Sequence, residues 1–142
     1  MRNTIFFDLD GTLLPMDQDR FLNSYMSKMA TYMAPYGFDP KVLNKAMWSG
    51  VGAMIKNDGR IRNEEMFWNV FATFFDDKMT SLAKEITIDF YKTEFQKVAN
   101  DCGYTPKAKE VVDFLKAKGY RLVLATNPLF PAIATESRMR WA

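Results

Sequence analysis

Residues 4 to 14 read Thr-Ile-Phe-Phe-Asp-Leu-Asp-Gly-Thr-Leu-Leu, and the change of character inside this stretch decides the fold. Thr4, Ile5, Phe6 and Phe7 are β-branched or aromatic, the composition of a buried strand. Asp8, Leu9, Asp10 and Gly11 then stop it, because two carboxylates and a glycine favour a loop over a ladder. Acidic oxygens are thereby set beyond the carboxyl end of a strand, the edge at which open α/β sheets bind ligands. Taken alone, Asp8-Leu9-Asp10-Gly11 also reads as a polar turn after an edge strand. The rest of the chain has to separate the two readings.

A matching unit stands near the other end. Thr105 is placed to cap a helix that has Pro106 at its first position. Ala108, Val111, Val112 and Leu115 are spaced to form its buried face, and Gly119 sits where such a helix stops. Tyr120 to Ala125 then reads as a strand that ends at Thr126-Asn127-Pro128, and Pro128 biases Asn127 away from helical geometry. A helix followed by a strand is half of a βαβ unit, and residues 4 to 7 supply the other strand. The predicted fold class is α/β, with two parallel strands whose polar ends share one edge.

The chain between them has helical periodicity. Phe21, Leu22, Tyr25, Met26, Met29, Tyr32, Met33 and Tyr36 recur at i, i+3 and i+4, and Pro35 with Gly37 ends that run. Asp39 and Pro40 predict the start of a second helix that turns Val42, Leu43, Ala46 and Met47 inward, with Gly50, Gly52 and Gly59 breaking it. Asn63 is expected to cap a third, with an apolar face of Met66, Phe67, Val70, Phe71, Phe74 and Phe75 and an end near Asp76 and Asp77. Leu82, Ile86 and Phe90 mark a fourth. Most of the ten methionines and the aromatics lie here, a distribution that predicts core and not a cofactor site. The segment 17 to 100 is expected to be all helical, an insertion between two parallel strands.

Composition narrows the function. Apolar residues make up 48% and charged ones 25%, the mix of a globular domain, and a net charge of +2 gives no ground for nucleic-acid binding. The chain has no histidine, which removes Ser-His-Asp and Cys-His catalysis and histidine metal ligands. Its one cysteine, Cys102, cannot close an internal disulfide or build a zinc site, and such usage fits a reducing, cytoplasmic setting. The longest uncharged run, Leu122 to Thr135, is interrupted by two prolines and is shorter than the ~18 apolar residues of a membrane span. No secretory signal is expected at the N-terminus.

Residues 6 to 14, Phe-Phe-Asp-Leu-Asp-Gly-Thr-Leu-Leu, resemble the first signature motif of the haloacid dehalogenase superfamily. Leu-Val-Leu-Ala-Thr-Asn, 122 to 127, is similar to its second. The resemblance implies a partial Rossmann-like core at 1 to 14 and 104 to 142, with residues 15 to 103 inserted as an all-helical cap of the C1 type. It implies a Mg²⁺-dependent phosphatase acting on a small phosphorylated metabolite. Asp8 would be the nucleophile, forming an aspartyl-phosphate, and also a metal ligand. Asp10 would be the general acid and base and, through its backbone carbonyl, would also meet the metal. Gly11 and Thr12 would shape the phosphate loop, Thr126 would hydrogen-bond the phosphoryl group, and Asn127 would add its backbone N–H. An aspartate at position 10 points to phosphate chemistry, since the superfamily's dehalogenases lack it.

Other readings stay open. A phosphomutase, or a phosphonate hydrolase using a cap lysine such as Lys56, belongs to the same superfamily, and a non-catalytic module could use the helical segment as a docking surface. Residues 41 to 62 carry five basic side chains against Asp58, either a solvated face or an anion funnel. Asp76-Asp77 reads as a solvated helix end and not as an acidic metal motif. The superfamily's later lysine and acidic pair have no counterpart after Thr126, where Glu136 is the single acid, in a helix expected from about Pro131 onward. The expectation is therefore a chain truncated after the second motif, with one edge of strand 4 to 7 unpaired and with little activity unless the remainder of the polypeptide completes the core.

Overall fold

Two strands, β1 (Thr4–Phe7) and β2 (Arg121–Leu124), pair in parallel in the computed structural model, with Thr4 opposite Arg121 and Phe7 opposite Leu124. The structure describes residues 3 to 127 and 129 to 142; the expected influence of Pro128 on Asn127 lies outside the described residues. The predicted strand 120 to 125 is shortened by one residue at each end, although the Ala125 N–H still donates to the Phe7 carbonyl at 2.7 Å. Among the described residues these two strands form the whole sheet, so β1 has a strand neighbour on one side.

Helix α1 (Gln18–Met33) begins where Asp17 accepts a hydrogen bond from the Arg20 N–H, and it buries Phe21, Tyr25, Met29 and Met33. A 3-10 turn over Ala34–Tyr36 follows, closed by Gly37 at φ 93, and leaves Tyr36 exposed. Helix α2 (Pro40–Ile55) starts as the sequence predicts, with the Asp39 carboxylate accepting from the Lys41 and Val42 N–H groups. Two expectations fail in it. Val42 is exposed. Gly50 and Gly52 do not break the helix, and Gly50 is where α2 meets helix α3 (Asn63–Phe71): a Cβ there would lie 2.5 Å from the Phe67 ring. The glycine serves close approach, not a turn.

The backbone of α3 ends at Phe71, earlier than the apolar pattern predicts, and Asn63 is its first residue and not its cap. A turn over 72 to 75 follows, and Asp76, with an extended backbone and a side-chain bond from the Met79 N–H, caps helix α4 (Asp77–Lys92). A helix cannot run through that conformation. Asp76 and Asp77 are exposed at a helix start, as a solvated end should be. After α4 a 3-10 segment, Glu94–Asp101, buries Phe95 and Val98 against α1. The span 17 to 100 contains no strand, in keeping with the all-helical expectation.

The core is aromatic. Tyr25, Phe90, Tyr91 and Phe95 touch one another edge-on or stacked, and the hydroxyls of Tyr25 and Tyr91 share a 2.8 Å hydrogen bond inside it. Burial pushes the Tyr91 phenol up to about 12, so the pair stays neutral. The last helix, α6 (Ala132–Trp141), packs here too: Ala134 is fully buried in the cluster, and Phe130, Ile133 and Trp141 lie against it. Helix α5 (Pro106–Ala117) behaves otherwise. Thr105 caps it and Gly119 follows it at φ 80 as expected, yet none of its residues is buried. Ala108, Val112 and Leu115 of the predicted inward face are half-buried, on a helix that packs against β2, but Val111 is 45% exposed, and Phe114, outside that face, is 61% exposed.

Candidate active site

The loop after β1 is closed by its own backbone. The Leu9 carbonyl accepts from the Thr12 and Leu14 N–H groups at 3.1 and 2.9 Å, and the Gly11 N–H donates to the Leu14 carbonyl at 2.8 Å. Leu9 and Leu14 are fully buried and anchor the two ends, while Asp8, Gly11 and Thr12 are exposed. Gly11 has φ 78, and a Cβ there would meet nothing within 4 Å, so glycine is needed for the backbone and not for space. Asp8 and Asp10 flank buried Leu9, close enough for the charge of Asp8 to act on Asp10.

The two carboxylates differ in surroundings. Asp8 is exposed. Asp10 is partly buried, and its Oδ1 lies 3.0 Å from Nε of Arg138, a side chain with no solvent exposure. The pair is an ion contact and not an aligned hydrogen bond, for among the described residues none of the three guanidinium nitrogens of Arg138 has a hydrogen-bond partner. Aromatic faces take part of that charge: the Arg138 Cζ lies 4.5 Å from the Phe130 ring centroid and 5.8 Å from that of Phe21. The Asp10 carboxyl is raised above its ordinary value, chiefly by burial; Arg138 opposes the shift and the charge of Asp8 adds to it. Nearby, burial and then the charge of Asp10 push the Cys102 thiol up to about 11, which leaves it a poor nucleophile.

Thr126 and Asn127 leave β2 on the strand adjacent to β1, at the same carboxyl edge as Asp8 and Asp10, with Thr126 half-buried and Asn127 exposed. The six residues expected to form a site therefore sit on two neighbouring strand ends. Two carboxylates offer hard oxygen donors, although among the described residues no group of three or more His, Cys, Asp or Glu comes together to hold a metal. Carboxylate oxygens are the donor type that a hard cation such as Mg²⁺ takes, with water filling its remaining positions. Asp8 is the side chain left open to it, since Asp10 is drawn toward Arg138.

Arg138 is the residue that the sequence reading missed. Its signal was present: Phe130, Ala134 and Arg138 recur every four residues, so a cation sits in an otherwise apolar stripe. The basic side chains of 41 to 62 have separate surroundings. Arg60 pairs with Asp58 at 3.1 Å, Lys45 lies over the Phe74 ring, and Lys56 is exposed at the end of α2. A separate apolar cavity of about 880 Å³ opens among α1 to α4 and residues 129 to 133, and Phe130 is the wall it shares with the Arg138 contact.

No helix among the described residues is long and apolar enough to cross a membrane. No curated protein and no solved structure matches the chain. A family model of haloacid dehalogenase-like hydrolases does, over residues 3 to 135, taking in both strand ends and everything between them. With nearly the whole chain aligned and both motifs seated at one sheet edge, the protein belongs to the haloacid dehalogenase-like hydrolases.

Proposed function

We propose that the protein is a Mg²⁺-dependent phosphatase that moves the phosphoryl group of a small phosphorylated metabolite first to Asp8 and then to water. The observation that carries this reading is the pairing of Asp8-Leu9-Asp10 and Thr126-Asn127 on adjacent parallel strand ends. In the first step an Asp8 oxygen bonds to phosphorus as the bond to the leaving oxygen breaks, and Asp10 gives that oxygen its proton. In the second, Asp10 takes a proton from water, the water oxygen bonds to phosphorus, and Asp8 departs as carboxylate. The raised Asp10 carboxyl suits the first proton transfer. Thr126 Oγ and the Asn127 N–H hydrogen-bond the phosphoryl oxygens, beside the loop that Gly11 and Thr12 shape. Asp8 through its side chain and Asp10 through its backbone carbonyl would hold Mg²⁺, which would supply positive charge against the phosphate.

Residues 15 to 103 act in this reading as a helical cap on a core formed by 1 to 14 and 104 to 142. Support comes from the two ends of the insertion, which meet: the Gly103 N–H donates to the Pro15 carbonyl at 2.7 Å, so close that a Cβ on Gly103 would clash. Asp101 ties the same junction to α1 through Ser24 Oγ at 2.5 Å and Arg20 at 3.3 Å. The single, partly buried Cys102 suits a cytoplasmic setting.

The test is turnover of a panel of phosphate esters by the full-length protein with Mg²⁺. Asp8→Asn should reduce hydrolysis to background, and Asp10→Asn should lower it by roughly 10² to 10⁴. Unchanged turnover in Asp8→Asn would falsify the mechanism.

A further inference from the structure

Of the two strand-end carboxylates, Asp10 is the one with a charged partner among the described residues, and that partner comes from the far end of the chain. Arg138 reaches it from α6, through an apolar setting in which Phe130 and Phe21 cover the guanidinium and Ala134 packs one turn earlier. A buried arginine is retained in an aromatic cluster only against a compensating charge, because desolvating it alone costs several kcal/mol. Among the described residues, the anion in contact with it is the Asp10 carboxylate. The planar guanidinium, wedged between two rings, has few orientations open to it, so its Nε fixes where Oδ1 of Asp10 can sit.

We infer that Arg138 is a positioning residue for Asp10: the ion pair sets the carboxyl of Asp10 against the strand-end loop and couples the placement of α6 to the geometry of the site. Helix α6 is thereby tied to the site as well as to the helical cluster that it packs against. Displacing a proton-transferring group by about 1 Å can cost 10²-fold in rate, so a residue that acts only through Asp10 can still have a large effect on turnover.

The kinetic half of this inference rests on the phosphatase reading; the pairing itself does not. Both are tested in the full-length protein with p-nitrophenyl phosphate and Mg²⁺, beside thermal unfolding of the same variants. Arg138→Met should lower kcat by roughly a hundred-fold with little change in KM, and Arg138→Lys should recover part of that loss. In an Asp10→Asn background, Arg138→Met should cause no further loss of kcat, and the two Tm decreases should be strongly non-additive. Glu136→Gln, at an exposed position on the same helix, controls for loss of one charge there and should change neither readout. An equal loss of kcat with and without the Asp10→Asn substitution would overturn the positioning role, because a general folding defect acts in both backgrounds. Additive Tm decreases would overturn the pairing whether or not the enzyme turns over. A wild-type protein that is inactive on every ester with Mg²⁺ overturns the phosphatase reading and the kinetic half with it, leaving the thermal cycle to decide the ion pair.

Discussion

The helices from 18 to 92 and the helix from 106 to 117 have comparable sequence patterns and opposite fates. In the first group Phe21, Tyr25 and Phe90 go into an aromatic cluster that they share with Phe95, and Phe90 and Phe95 have no exposure. In the second, α5 has its Thr105 cap and a proline in its first turn, and none of its residues is buried. The sheet beneath it shares this openness, with Phe6 on β1 66% exposed. Periodicity states which face of a helix is apolar; burial also requires something to lie on that face. The aromatic core is built by the inserted helices together with α6, whereas β1, β2 and α5 carry the strand-end residues on a thin frame.

The comparison can be broken most severely in the aromatic cluster. Phe95 has no exposure and touches Phe21, Tyr25, Phe90 and Tyr91. Phe95→Ala should therefore destabilise the protein by about 3–5 kcal/mol in denaturant unfolding. A smaller loss is expected at the junction of α2 and α3, where Gly50→Ala drives a methyl to 2.5 Å from the Phe67 ring; roughly 1–3 kcal/mol is the usual cost of such overpacking. Removing the α4 cap with Asp76→Ala should cost ~1 kcal/mol, since one helix-end N–H loses its acceptor. On the open side, Phe114→Ala should change stability by less than about 0.5 kcal/mol. A loss at Phe114 as large as that at Phe95 would contradict the contrast, because it would require α5 to be covered.

Hydrogen exchange sharpens the same point without mutation. Backbone amides of α1 and α4 should be the slowest to exchange, and those of α5 and β1 markedly faster, as expected where few apolar contacts resist local opening. Equal protection across the two regions would show that the sheet is as well supported as the helices.

What could be read from the sequence follows the same division. Strand β1, the parallel partner β2, the caps at Asp39 and Thr105 and the stop at Gly119 were legible because each rests on short-range chemistry. The errors came where distant residues decide. Gly50 looked like a breaker, since its reason for being glycine is a ring on another helix. Val111 looked buried because an apolar pattern does not say whether a neighbour exists. In the site, Asp8, Asp10 and Gly11 were legible from a strand that ends in acid and glycine, and Thr126 and Asn127 from the second strand end. Arg138 was not, because its role depends on nearly the whole length of the chain folding back to bring it to Asp10.

The central claim is that Asp8 is the group that accepts the phosphoryl moiety. The full-length protein should be mixed with Mg²⁺ and an ester that it hydrolyses, quenched in acid during turnover, digested and read by mass spectrometry. The account predicts an acid-stable phosphate on the peptide that contains Asp8, present in the wild type and missing in Asp8→Asn. Turnover with phosphate carried on any other residue, or sustained turnover by Asp8→Asn, would contradict it.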